Sequence, residues 1–334
     1  MWAWFKDRTR SRARQGLPAA RVRDKLRAVH RSATVFALAV VLSLQAAAQR
    51  PPRLELLDTA VLRAPRLIES SGIAPSRRVR GVFWTHNDSG DEPRLYATDS
   101  AGDDLGSVLV AGAANVDWED LGSGSCPDHP GWCLYPADIG DNRRARDHIV
   151  VYRVAEPEPP RGPGDTLRRV PLESAVALRY PDHPHNAEAI AVEPSGRILI
   201  ITKELLKPAL VFRVPVRLAE QGPGEVDTLE LVGPLDLVPS LARLRMVTGA
   251  AVSPDGTLLA VRTYSTLHLF RLRGDSLPFP ITPTTGLTIP VVEPQGEGVA
   301  FIGPDRFVLT AERDDADHAI VSRLRIVGLA ASKP

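Results

Sequence analysis

Five copies of a short motif, a turn and a second strand after most of them, and a final unit left one strand short together predict an all-β fold, a β-propeller of five four-stranded blades. The copies are Ser71-Gly-Ile-Ala, Glu119-Asp-Leu-Gly, Glu188-Ala-Ile-Ala, Thr248-Gly-Ala-Ala and Glu297-Gly-Val-Ala. Their starts lie 48, 69, 60 and 49 residues apart, a mean of 56.5, so a sixth copy would fall beyond residue 334. Six blades is the alternative, and it needs a weak unit hidden in one of the two long intervals. The chain also holds 30 prolines and 25 glycines, which suits many short strands joined by turns and not a helical bundle.

Small and apolar residues dominate the motif, as an inner strand packed closely on its neighbours requires. Turn signals follow four of the five copies, at Pro75-Ser76, Pro194-Ser-Gly196, Pro254-Asp-Gly256 and Pro304-Asp305. Second strands are expected at 81–85, 197–202, 258–263 and 306–310, and alternating third strands at 94–98, 149–154, 210–214, 267–272 and 320–326. Fourth strands are less regular, with 168–172 and 227–232 as the clearest. The unit that starts at Glu297 has 38 residues left, room for three strands. Residues 54–62, Leu-Glu-Leu-Leu-Asp-Thr-Ala-Val-Leu, supply the fourth, and that pairing would close the ring and cover two edges at once.

Residues 1–48 read as an address and 49–334 as one propeller domain. A basic stretch runs to Arg31, an apolar run of about a dozen residues follows from Ala33, and Ala46-Ala47-Ala48 supplies an exit of small residues. This is the layout of a secretory signal, which predicts a secreted or periplasmic protein, and an uncleaved membrane anchor is the alternative. The run is short of the ~20 residues that span a bilayer. The first 48 residues hold ten Lys+Arg against two acids, whereas the remaining 286 hold 31 bases against 38 acids. An acidic body argues against nucleic acid as a partner and leaves membrane contact to the N-terminal segment alone. Cys126 and Cys133 enclose the turn-rich Pro-Asp-His-Pro-Gly-Trp, and in an exported chain they predict a disulfide, which would add about 2 kcal/mol by loop entropy. One C-x6-C pair does not by itself make a tetrahedral metal set.

Topology gathers the acids. In an antiparallel blade the start of the first strand and the end of the second lie on one face. Glu69, Asp117, Glu119, Asn186, Glu188 and Glu297 stand at first-strand starts. His86, Asn87, Asp88, Asp138, Asp141, Asn142, Lys203, Glu204, Arg262, Tyr264, Glu312 and Arg313 stand at second-strand ends. Carboxylates at that density cannot all ionise in one funnel without a positive partner, and they are the ligand set of a hard cation, Ca²⁺ before Mg²⁺. Glu69, Asp88, Glu119, Asp138, Glu188 and Glu297 are the expected ligands, with Asn87, Asp141, Asn142, Lys203, Tyr264 and Glu312 around them. The competing reading pairs the acids with Arg262, Lys203, Arg313 and backbone N–H groups. His185 is placed to act as ligand or base. Asp91, Glu92, Asp103 and Asp104 read as solvated turn residues, and His268 as packing. No G-x-S-x-G, P-loop, H-E-x-x-H or framed G-x-G-x-x-G occurs.

Several strings together resemble a family of secreted bacterial β-propeller proteins. They are Glu69-Ser-Ser-Gly-Ile-Ala74, Trp84-Thr-His-Asn-Asp-Ser-Gly90, Asp117-Trp-Glu-Asp-Leu121, Asp138-Ile-Gly-Asp-Asn142, Tyr152-Arg-Val-Ala-Glu-Pro157 and Gln295-Gly-Glu-Gly-Val-Ala300, spanning roughly 67–313. The resemblance implies the propeller fold and export. More distantly, a funnel of Glu, Asn and Asp looks like the calcium-dependent lactonase and esterase propellers and the propeller phytases. Two functions stay open: an extracytoplasmic binding module for a small molecule or other ligand, with a cation-binding mouth, or a metal-dependent hydrolase of a small ester, lactone or phosphoester. In the second, His185 would serve as base and Arg262 would steady a developing anion.

Overall fold

The computed structural model describes residues 53–163, 165, 168–215, 221–222, 224–235, 237, 245–272, 286–291, 295–312 and 322–329. The expected signal segment and Arg313 lie outside the described residues, as does the start of the strand expected at 320–326. The strands form five sheets, one for each motif copy, so the chain is a five-bladed propeller. From the channel outward, blade one consists of Ser70–Pro75, Val82–Asn87, Arg94–Asp99 and Asp104–Ala111. Blade two consists of Trp118–Ser125, Trp132–Asp138, Ile149–Ala155 and Ser174–Arg179, and blade three of Ala187–Val192, Ile198–Thr202, Ala209–Arg213 and Glu230–Leu235. Blade four consists of Val247–Val252, Leu258–Thr263, Thr266–Arg271 and Gly286–Pro290. Blade five takes Gly296–Phe301, Arg306–Ala311 and Arg323–Leu329 from one end of the chain and Leu54–Val61 from the other.

The ring therefore closes as expected, with Leu54 opposite Leu329 and Val61 opposite Arg323 in an antiparallel pair. Among the described residues the long intervals after Glu119 and Glu188 hold no sixth blade. They hold two short edge strands instead. Arg169–Pro171, expected as the fourth strand of blade two, lies parallel to the outer strand of blade one. Ser174–Arg179 takes the fourth place in blade two, and Val226–Thr228 adds to it in parallel. The fourth strand of blade three accordingly starts at Glu230, three residues later than the alternation suggested. Covering an exposed edge removes a row of unpaired N–H and C=O groups, which is the physical reason a three-residue segment is worth placing there.

Five apolar clusters fill the structure, one at each interface between adjacent blades. Trp84 and Trp118 meet between blades one and two, Tyr135 and Phe212 between two and three, and Phe301 and Phe307 lie between four and five. Each fully buried large apolar side chain contributes on the order of 1.5–3 kcal/mol. The inner strands approach so closely that side chains are excluded at some motif positions: a Cβ on Gly72 would stand 2.2 Å from the Leu121 backbone nitrogen. Cys126 and Cys133 are bonded, Cα to Cα 5.1 Å, and pin the first hairpin of blade two. Gly131 turns that hairpin at φ 143°, a conformation that favours glycine. Among the described residues no helix is long and apolar enough to cross a membrane.

Candidate functional site

Every blade repeats one irregularity at its motif. The pairing of the inner strand with the second strand slips between Ser70 and Ile73, Trp118 and Asp120, Ala187 and Ala189, Val247 and Gly249, and Gly296 and Val299. A β-bulge leaves one residue out of the ladder and re-aims its side chain. In blades two and three the residue left out is an acid, Glu119 and Glu188. Both are buried, at 4% exposure, and the charge of Glu188 bears directly on Glu119.

Around this pair the loops bring further acids. Oxygens of Asp88, Asp117 and Glu119 lie within 4.8 Å of one another. Burial pushes Asp88 up to about 6, with the charges of Asp117, Glu188 and Glu69 adding to it. Asp117 is likewise raised to about 6 by burial and Glu188, against an opposing Arg146. Burial and then Glu188 hold Glu119 well above the ordinary carboxylate range. On the far side of the mouth Glu297 is raised by burial, Glu312 and Glu188, and Glu312 reaches about 7 through burial, Asp88 and Glu69. The cation facing them is Lys203, with Nζ 3.0 Å from Glu188 Oε2 and 5.2 Å from the Tyr264 ring centre. Burial alone would lower Lys203, yet Glu188 and Glu297 hold it above its usual range. Asn186 donates to Glu188 Oε1 at 3.0 Å and to Asn142 Oδ1 at 3.3 Å, tying blade three to the loop of blade two.

The structure thus brings together Glu69, Asp88, Glu119, Glu188, Glu297, Glu312, Lys203, Tyr264 and Asn142. Other residues expected at the site hold the loops that carry it. Asp138 accepts from the Val116 and Asp117 backbone N–H groups and pairs with Arg146 at 2.7 Å, so its carboxylate is already engaged. Asp141 caps a turn by accepting from Ala145 and Arg146 N–H groups. Asn87 accepts from Ile68 and Glu69 N–H and donates to Arg66 O. Arg262 is fully buried and donates to the carbonyls of Gly298 and Thr310, bracing blades four and five beneath Glu297. Ser71 donates to Glu119 O and Ser70 shares a hydrogen bond with Thr85, so neither is a poised nucleophile.

The histidines separate from the mouth. His185 has its ring among Tyr180, His183 and Phe212, and its nearest acids are Asp182 and Glu204. His86 stands edge-on to Trp118, and burial lowers it to about 4. His268 bridges Thr266 and Thr288 inside blade four.

One residue of the channel escaped the sequence. Asp120, fully buried, accepts from its neighbour Leu121 at 2.8 Å, from Ile190 of blade three at 3.0 Å and from Ala250 of blade four at 3.2 Å. It therefore spans the channel below the acidic mouth. Burial raises it to about 7 against the pull of those three N–H donors. The signal was present: where blades one, four and five have Gly72, Gly249 and Gly298 and blade three has Ala189, blade two has an acid.

No protein-family model matches the chain, and neither does any curated protein sequence. Solved structures do align with it. One is the PQQ-bound form of an aldose sugar dehydrogenase from Streptomyces coelicolor, 13% identical, with TM-score 0.48, covering 85% of this chain and 100% of that one. Another, from Thermus thermophilus, is provisionally identified as an oxidoreductase (glucose dehydrogenase), 14% identical, with TM-score 0.41, covering 82% of this chain and 99% of that one.

Proposed function

We propose that the propeller is an exported binding module whose acidic mouth holds a divalent cation, Ca²⁺ before Mg²⁺, through Asp88, Asp117, Glu119 and Glu188. The observation that carries this reading is the convergence of Asp88, Asp117 and Glu119 oxygens within 4.8 Å on carboxyls that raise one another's pKa. All-oxygen donors of this kind suit a hard cation, and a flexible set of carboxylates and amides suits the larger Ca²⁺. Asn186 and Lys203 would hold Glu188 in place, and Glu297, Glu312 and Tyr264 would border the open side where a polar ligand docks. A hydrolytic role has less support, because His185 and Arg262 are engaged elsewhere. The disulfide is compatible with an extracytoplasmic site of action.

The experiment is a melting curve with chelator and with millimolar Ca²⁺, alongside calorimetric titration of calcium into chelator-treated protein. Calcium should raise the melting temperature, since a ligand bound only by the folded state stabilises it by mass action. Asp117→Asn should weaken calcium binding at least tenfold, and magnesium should bind less tightly. Superimposed curves with chelator and calcium would sink the reading.

A further inference from the structure

A second group of metal-ligating side chains lies outside the mouth, in the loop that leads into blade three. We infer that Asp182, His183 and His185 form a zinc site, with Glu204 as the carboxylate that orients His185. This proposal is independent of the calcium reading.

The loop reads Pro181-Asp-His-Pro-His185. Two prolines fix φ on either side of the first histidine and so limit what the loop must lose in order to present its ligands. The two imidazoles stack obliquely, centres 4.3 Å apart. Both point the same nitrogen at the same carboxylate: His185 Nε2 is 3.0 Å from Asp182 Oδ1, and His183 Nε2 is 3.6 Å from Asp182 Oδ2. One ligand atom from each of the three residues falls within 4.8 Å of the others. Closing them around a zinc ion, at ~2.0–2.2 Å per bond, needs movement of about an ångström, and His183 and Asp182 are more than half exposed and free to make it.

The other ring nitrogens carry the second observation. A metal-bound histidine generally directs its remaining N–H to a carbonyl or carboxylate, which fixes the tautomer. His183 Nδ1 lies 3.0 Å from the Pro184 carbonyl. His185 Nδ1 is buried without a hydrogen-bond partner and faces Glu204 Oε1 at 3.6 Å. Glu204 is itself 7% exposed and held by Arg144 at 2.9 Å. A zinc ion on Nε2 polarises the ring and strengthens the Nδ1–H as a donor to Glu204. Two imidazoles and one carboxylate with an open fourth position favour zinc over the hard cation of the mouth.

The test uses the full chain without a histidine tag, with calcium saturating to occupy the mouth. Zinc is titrated by calorimetry, and cobalt is substituted to read the ligand field. One zinc should bind per chain, and cobalt should give the intense visible bands of a four- or five-coordinate site. His183→Ala and Asp182→Asn, both at exposed positions that leave the fold intact, should each lower zinc affinity at least tenfold. Glu204→Gln should lower it about 10–100-fold, the range for loss of an orienting carboxylate. Asp117→Asn should leave it unchanged. Zinc affinity equal in wild type and His183→Ala, or lost in Asp117→Asn instead, would overturn the proposal, as would a weak octahedral cobalt spectrum.

Discussion

The two mouths of the channel are made by opposite ends of the same five inner strands, and their chemistry is opposed. Where the strands begin stand Glu119, Glu188 and Glu297, buried carboxyls that crowd one another's charge. Where they end, the opening is lined largely by apolar side chains, among them Ile73, Leu121, Ile190, Val299 and Phe301. Asp120 separates the two, linking three blades through backbone donors. The lower mouth holds no acid among its lining residues, and apolar packing is its main feature. Packing does not account for the upper one, where Lys203, Arg146 and Arg262 oppose a larger set of acids that burial makes costly. The comparison teaches that the repeat serves closure of the ring at one end, while at the other it carries residues that closure does not need.

That contrast can be broken in order of expected effect. Phe301, buried and 4.7 Å from the Phe307 ring centre, belongs to the lower mouth. Phe301→Ala should cost about 3–5 kcal/mol by lost burial and cavity formation, measured by denaturant unfolding. The same loss should appear with chelator and with calcium; a loss that depends on calcium would join the two mouths energetically.

Asp120→Ala should cost about 2–6 kcal/mol, because Ile190 and Ala250 N–H groups would be left buried without acceptors, at ~1–3 kcal/mol each. Asp120→Asn keeps an acceptor oxygen and should lose less. If the two variants unfold alike, the carboxylate does not bridge the blades.

A smaller effect concerns pH. Native Asp88 and Asp117 sit at about 6, and Asp120 and Glu312 at about 7, against roughly 3.9–4.3 for unfolded Asp and Glu. Between those values the folded state binds more protons than the unfolded one, so stability falls as pH rises from about 4 to about 7. With chelator, the melting temperature should therefore be higher at about pH 5 than at about pH 8. Calcium, which binds the ionised cluster, should shrink that difference, and Asp117→Asn should reduce it even without calcium. A profile that is flat in chelator would remove the electrostatic strain from the account. Smallest of all, Asp103→Asn touches only an exposed pair with Arg63 and should change stability by less than about 0.5 kcal/mol, with or without calcium.

Much of this was legible in the sequence, and for physical reasons. The motif showed where the inner strands begin because close packing restricts them to small and apolar residues. The missing strand of blade five pointed to residues 54–62 because an unpaired edge is unfavourable. The Cys126–Cys133 bond followed from a turn-rich loop. The bulges were not legible, since an extra residue in a strand leaves no mark in composition. Strict alternation would have sent Glu119 and Asp120 to opposite faces of the blade, and the bulge at Glu119 instead frees it for the mouth while Asp120 spans the channel. The three-residue edge strands at Arg169–Pro171 and Val226–Thr228 are too short to show a period. Asp138 was expected as a metal ligand and Asp141 beside it, because sequence reveals which residues reach a face, and not which backbone N–H groups reach them first.

The clasp of the ring bears on assembly. The outer strand of blade five, Leu54–Val61, is held to Arg323–Leu329 by the ladder that closes the ring, and its own side chains are mostly exposed. It is thus an element that a neighbour can imitate. Removing residues 54–61 would leave the Arg323–Leu329 edge open to the corresponding strand of an intact molecule. Reciprocal exchange of that strand between two intact molecules would preserve every blade and turn two closed rings into a swapped pair.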